Sequence, residues 1–225
     1  MTRNNLIICC ASERSMHYAW LDGDPDRNWD LFVSPYRLVL HSPTHHDVKL
    51  GPIRSAKKFA ALHELLTQDE WWRGYRNIML VDEDIFAMPG TWSHFFDRAD
   101  TLPMAMAAPA LTPNSIASHP VMVQRPGCGV RRVSFIESMM PCFRVNTLAL
   151  LLPTFMADPT GAGWGIDYVW AKLLDYRGIY VIDETPVTHW RPSVHTQNNW
   201  PDAEVVMVKY NAPRIEETYE CIFLT

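Results

Sequence analysis

Runs of consecutive apolar residues, rather than strict alternation, punctuate this chain, and they predict a parallel sheet buried on both faces. Leu6-Ile7-Ile8-Cys9-Cys10 lies in a strand expected from Asn5 to Ala11, which ends in Ser12-Glu13-Arg14. A second strand is expected from Trp29 to Ser34, after the turn-rich Asp22-Gly23-Asp24-Pro25-Asp26. Ala56, Phe59, Ala60, Leu62, Leu65 and Leu66 then recur near the helical period, so a helix is expected with Pro52 early in it. Ile78 to Val81 is a buried strand that runs straight into Asp82-Glu83-Asp84. Pro89-Gly90 opens a short amphipathic helix through Phe95 and Phe96, and Met104 to Ala110 is a further strand.

The second half is less regular. Asn114 to Gly129 is rich in Pro, Ser and Gly and reads as a long active-site loop. A mixed strand is expected within Val133 to Phe143, and a short helix over Thr147 to Phe155. Gly161-Ala162-Gly163-Trp164-Gly165 is a glycine-rich turn leading into a helix from Ile166 to Tyr176. Ile179 to Ile182 and Val187 to Trp190 are two short strands, and Ala203 to Tyr210 is amphipathic. Strands alternating with helices define an α/β class with a central, mostly parallel mixed sheet flanked by helices. We expect one domain over residues 1–200 and a helical tail over 201–225 packed on it.

Composition narrows the function. A hydrophobic fraction of 48% supports a large core, and a net charge of −5 argues against a broad nucleic-acid surface, with modified DNA left open as an acceptor. Lys49, Arg54, Lys57 and Lys58 form one basic cluster, and Arg125, Arg131 and Arg132 another; both suit either phosphate groups or a solvated face. No apolar segment is long enough to span a bilayer. Five cysteines with no C-x-x-C pair imply neither a disulfide framework nor a zinc site, so a cytoplasmic, reducing setting is expected.

The acidic triplet carries the first chemistry. In parallel sheets ligands bind beyond the carboxyl ends of strands, where this triplet lies. Asp82 and Asp84 are two apart and can converge on one hard cation, whereas Glu83 points to the opposite face and is structural. Other constellations are weaker. His41, His45, His46 and Asp47 lack a spacing that would converge their side chains on a metal. Cys128 with His119 as base lacks a nucleophile elbow, and neither a P-loop nor a G-x-G-x-x-G motif is present.

Three blocks carry a resemblance: Leu80-Val81-Asp82-Glu83-Asp84, Phe135 to Phe143 containing Glu137, and Gly163-Trp164-Gly165-Ile166-Asp167 followed by Asp183 and His189. In order and spacing, over about half the chain, they resemble GT-A-fold glycosyltransferases, and more narrowly an uncharacterised glycosyltransferase-like family of plants and bacteria. The resemblance implies a hexosyltransferase-type enzyme using a nucleotide diphosphate sugar, a glycan or other hydroxyl acceptor, and Mn²⁺ or Mg²⁺ at a D-x-D motif. It implies that Asp84 holds the cation with His189, while Asp82 contacts the ribose or a metal-bound water. Ser12, Glu13, Asp30 and Lys57 would bind the donor, with Ser34 or Arg54 as further contacts. Asp167 would be the base of an inverting transfer, although a carboxylate in a first helical turn also suits the helix dipole. Trp164 and Gly165 would meet a sugar. Glu137 would hold the donor sugar or acceptor, or pair with Arg131 or Arg132. A non-catalytic module of this fold that binds a glycan or another partner through the same cleft is the alternative.

Overall fold

The computed structural model describes residues 3–22, 24–37, 48–54, 56–191 and 200–223. The cluster of His41, His45, His46 and Asp47 lies outside them. The strands are β1 Asn5–Ala11, β2 Trp29–Pro35, β3 Lys49–Leu50, β4 Asn77–Asp82, β5 Ile85–Phe86, β6 Met106–Leu111, β7 Cys128–Val133, β8 Cys142–Arg144, β9 Ile179–His189 and β10 Thr218–Phe223. The helices are α1 His17–Leu21, α2 Lys58–Gln68, α3 Thr91–Asp100, α4 Val145–Leu151, α5 Ile166–Leu173 and α6 Trp200–Lys209. The sheet order is β10-β7-β9-β6-β8-β4-β1-β2-β3, with β5 joined to β9. Along that order only β8 and β7 run against the rest, as expected for a mostly parallel mixed sheet flanked by helices.

Every residue of β1 is buried, which explains its unbroken apolar run: helices cover both faces of a central parallel strand. Its register aligns Cys10 with Asp82 on β4 and Ala11 with Pro35 on β2. The carboxyl ends of three parallel strands therefore finish at one level. On the far side of β4, Trp170 of α5 packs against Phe59 of α2, Phe143 of β8 and Phe155, with ring centroids 5.6, 5.2 and 5.7 Å away. Its Nε1–H donates to the Thr154 hydroxyl at 2.9 Å. Trp170 lies three residues after Asp167, so this buried aromatic cluster fixes the start of α5.

Several elements differ from the sequence expectation. The two short strands over 179–190 form one strand, β9, because the polar Asp183 between them is buried against Arg131 instead of marking a loop. Its first part pairs with β6 and its last residues pair with β5, bringing His189 opposite Ile85. The helix expected near Pro52 starts at Lys58, since 51–54 continues beside β2 through Gly51 N–H to Val33 O and Arg54 N–H to Pro35 O. Residues 134–141 form a loop along β4 rather than part of a strand, with Asp82 N–H bonded to Met139 O. The tail is not only helical, because β10 extends the sheet beyond β7.

The expectation of unbridged cysteines is also corrected. Cys128 on β7 and Cys221 on β10 form a disulfide across neighbouring antiparallel strands, with Cα atoms 5.8 Å apart. An odd count leaves room for one bridge, and Cys9, Cys10 and Cys142 remain free and buried. The bridge removes the argument for a reducing setting and the nucleophile reading of Cys128. Alkylation of the denatured, unreduced protein should label three thiols, rising to five after reduction; five before reduction would show that the bridge is absent in solution. Among the described residues no helix is long and apolar enough to cross a membrane.

Candidate active site

A cleft of about 920 Å³ opens at the carboxyl ends of β1, β2 and β4. Ser12, Glu13, Asp82, Asp84, His189, Lys57, Glu137 and Trp164, all expected in a site, line it. Asp30 and Gly165 do not. Asp30 lies at the other end of β2, bound by Arg3 at 2.9 Å and by the Tyr75 hydroxyl at 2.9 Å. It aligns with Leu6 near the start of β1, so a donor at the strand ends cannot reach it.

Asp84 and His189 meet at one side of the cleft. His189 Nε2 lies 3.4 Å from Asp84 Oδ2, and the backbone joins them again through Trp190 N–H to Asp84 O. The other ring nitrogen, Nδ1, is 2.6 Å from Ile116 O. When it donates there, Nε2 is left directed at the cleft carboxylate, the arrangement by which a second partner orients a ligating imidazole. The bond to Asp84 raises the His189 pKa to about 9, against an opposing effect of burial. Asp82 faces Lys58, whose Nζ is 2.6 Å from Oδ1 and also donates to Ser138 O at 2.7 Å. Burial raises the Asp82 pKa although Lys58 pulls it down.

Among the described residues no three His, Cys, Asp or Glu side chains gather as a ready-made metal cage. The donor set still fits a hard dication. Mg²⁺ and similar ions are commonly held by one or two carboxylates together with substrate phosphates, and the cleft lining includes the Asp84 and Asp82 carboxylates and the His189 imidazole.

Glu83 is structural in the described contacts. Its Oε2 accepts the backbone N–H and hydroxyl of Ser12 at 2.5 and 2.7 Å, and its Oε1 accepts the Tyr36 hydroxyl at 2.7 Å. It ties the ends of β1 and β2 to the turn after β4. Ser12 is consequently 3% exposed and its hydroxyl already donates to Glu83, which leaves it less free to meet a nucleotide than the sequence suggested. Arg14, Arg37, Arg54, Lys57, Lys58 and Arg191 place positive charge around the cleft, matching the charge of a diphosphate.

The glycine-rich turn is organised by Asp158, which the sequence reading missed. Its carboxylate accepts N–H groups of Thr160, Gly163 and Trp164 at 2.8 to 3.0 Å and the Thr160 hydroxyl at 2.7 Å. Asp-Pro-Thr-Gly, a turn sequence in which aspartate bonds the backbone two residues on, was the available signal. Gly163 and Gly165 have φ of 92° and 76°, and an added Cβ would lie 2.2 Å from Phe59 and 2.7 Å from Ala203 O respectively. The glycines thus admit α2 and α6 rather than a sugar, which corrects the role expected for Gly165. Burial pushes the Asp158 pKa up, but these hydrogen bonds prevail and hold it below its ordinary 3.8. A depressed folded-state pKa means its stabilisation is complete above that value and is lost as pH falls below it. Asp158→Asn should therefore be less stable than wild type at neutral pH, with the gap narrowing below about pH 4 in denaturant titrations.

Asp167 is 7% exposed and lies behind the cleft wall. Its Oδ1 accepts Tyr168 N–H at 3.0 Å, and it also accepts a backbone hydrogen bond from Ser138. Burial raises its pKa to about 6, opposed by His119. His119 Nδ1 lies 3.1 Å from Glu216 Oε2 of the tail, and Glu216 accepts the Tyr168 hydroxyl. Glu137 does not pair with Arg131 or Arg132, as one expectation held: Arg131 binds Asp183 at 2.8 Å and Arg132 lies 3.5 Å from Glu220.

The mostly parallel sheet flanked by helices matches the fold of a glycosyltransferase structure. Among solved structures the chain is similar to S. aureus TarS residues 1–349, with TM-score 0.60 and 13% identity over 92% of this chain and 63% of that one. It is similar also to the complex of TarS 1–349 with UDP-GlcNAc (TM-score 0.57, 11% identity, 92% and 64% covered). The complex with UDP gives TM-score 0.54, 11% identity, and 91% and 64% coverage. TarS is a glycosyltransferase, and the chain spans about 63% of the length of that structure. No protein-family model and no curated protein sequence matches this chain.

Proposed function

We propose that the protein is a metal-dependent glycosyltransferase, of hexosyl type, that moves a sugar from a nucleotide diphosphate to a hydroxyl acceptor with inversion. The observation that carries this reading is the pairing of Asp84 with His189 in a cleft that Asp82 also lines and that cations ring. The UDP-GlcNAc and UDP complexes of TarS support a nucleotide-sugar donor in this fold. Asp84, His189 and Asp82 would hold Mn²⁺ or Mg²⁺, which when bound neutralises charge on the departing diphosphate. Lys57 and Lys58 flank the same diphosphate, Ser12 and Glu13 border the nucleotide, and Trp164 offers a ring face to a sugar. A carboxyl group, Asp167 or Glu137, receives the acceptor proton.

A thermal-shift screen of nucleotide diphosphates and their sugars, with and without Mn²⁺, tests the reading. Stabilisation by one nucleotide that depends on the metal is expected. A bound nucleotide sugar that is never consumed, with any acceptor or with water, would count against an enzyme.

A further inference from the structure

Two carboxyl groups compete for the role of proton acceptor, and their surroundings differ. Asp167 is turned into the protein and accepts N–H groups of Tyr168 and Ser138. Glu137 lies in the loop between β7 and β8 and lines the cleft with Ser138 and Met139. Its Oε2 is buried with no hydrogen-bond partner. Both arginines close to it in sequence are bound to other acids. Burying a carboxylate oxygen without a donor is unfavourable, so packing alone gives this placement no advantage.

Resting on the sugar-transfer reading, we propose that Glu137, rather than Asp167, takes the proton of the acceptor hydroxyl, and that Asp167 steadies the Glu137-Ser138 loop. In this step the acceptor oxygen bonds to the anomeric carbon as the bond from that carbon to the diphosphate oxygen breaks. The electron pair leaves with the nucleotide diphosphate, and the hydroxyl proton passes to the Glu137 carboxylate and later to solvent. The surroundings suit the task. Burial raises the Glu137 pKa to about 7, with Asp167 of α5 and Asp82 of β4 pushing it up and His119 and His189 pulling it down. A base works best when its pKa lies near the working pH. Asp167, held by N–H groups at the start of a helix, does not line the cleft.

The test measures UDP release from UDP-GlcNAc with Mn²⁺, water serving as the acceptor hydroxyl, beside UDP binding by thermal shift. Glu137→Gln should lower kcat by roughly 10²- to 10⁴-fold, with KM within about threefold and the UDP-induced shift retained. Glu137→Asp should recover at least about tenfold of that loss, and Asp167→Asn should lose less than about tenfold, since a positioned base contributes more than its support. Near-normal kcat in Glu137→Gln with a dead Asp167→Asn would overturn the assignment. So would loss of UDP binding in both Glu137 variants, which would mark a structural role. Should another nucleotide bind the wild type while UDP does not, the same variants are compared with that nucleotide's sugar. Wild-type protein that binds no nucleotide diphosphate and releases none overturns the sugar-transfer reading, and this assignment with it.

Discussion

On the proposed reading, Asp84→Ala should reduce turnover in the presence of Mn²⁺ by roughly 10³-fold, because Lewis-acid stabilisation of the departing charge amounts to several kcal/mol and each 1.36 kcal/mol is tenfold in rate. The residue sits where β5 folds back on β9, with its carboxylate 3.4 Å from His189 Nε2. Removing it takes away an oxygen donor and also releases the imidazole. The His189 pKa, raised to about 9 chiefly by Asp84, should then fall toward its ordinary 6.5. A raised folded-state pKa gives stability that is full below the unfolded value and lost as pH rises through the folded one. The histidine titration, followed by NMR in the apo protein with Asp84→Ala as comparison, should move down. The fold should survive, since Asp84 and His189 are both partly exposed and such pairs contribute little to stability. An Asp84→Ala protein that keeps both Mn²⁺-dependent nucleotide binding and turnover would remove Asp84 from the metal wall.

Arg131→Met should be the most destabilising single change away from the cleft, by about 3–5 kcal/mol. Both partners of the Arg131–Asp183 pair have no exposed side-chain surface. Arg131 donates twice to Asp183, at 2.8 and 3.1 Å, and to Val121 O and Val123 O at 2.7 and 2.9 Å. Among the described residues, the substitution leaves Asp183 buried and charged with only Arg125 N–H at 2.8 Å to satisfy it. For a chain of this size the loss corresponds to a fall in Tm of about 10 °C in calorimetry. The double variant Arg131→Met/Asp183→Leu should recover part of it, because removing both charges removes the uncompensated one. A fall below about 2 °C in the single variant would show that water or another group relieves Asp183.

The same pair shows where sequence reading stops. The buried strand β1 was legible to the residue, since seven consecutive residues hidden on both faces leave a continuous apolar run. β9 was read as two strands because Asp183 looks like a loop residue until its partner, 52 positions earlier, is known. Asp30 was assigned to the donor because a strand's carboxylate can belong to either end, and only the register with β1 shows which. β10 went unseen since its sequence alternates weakly and it lies at the sheet edge, half exposed. The acidic triplet, Trp164 and His189 reach one cleft as the motif order implied. The division of labour between Glu137 and Asp167 depended on which carboxylate had already found N–H donors, and one-dimensional spacing does not carry that information.

Lys58 gives the cleft a counter-ion of its own. Its ammonium spans Asp82 at 2.6 Å and the Ser138 and Met139 carbonyls at 2.7 and 3.3 Å, and it stands 5.1 Å from the Phe59 ring centre. A dication that takes Asp82 must take it from Lys58, so its arrival is an exchange of partners rather than a simple addition of attraction. The ammonium would keep its bonds to the Ser138 and Met139 carbonyls, next in sequence to Glu137 and on the lining of the same cleft. On the proposed reading, metal and phosphate affinity would be coupled through one flexible side chain: an ion on Asp82 would free the lysine for the anion that accompanies it.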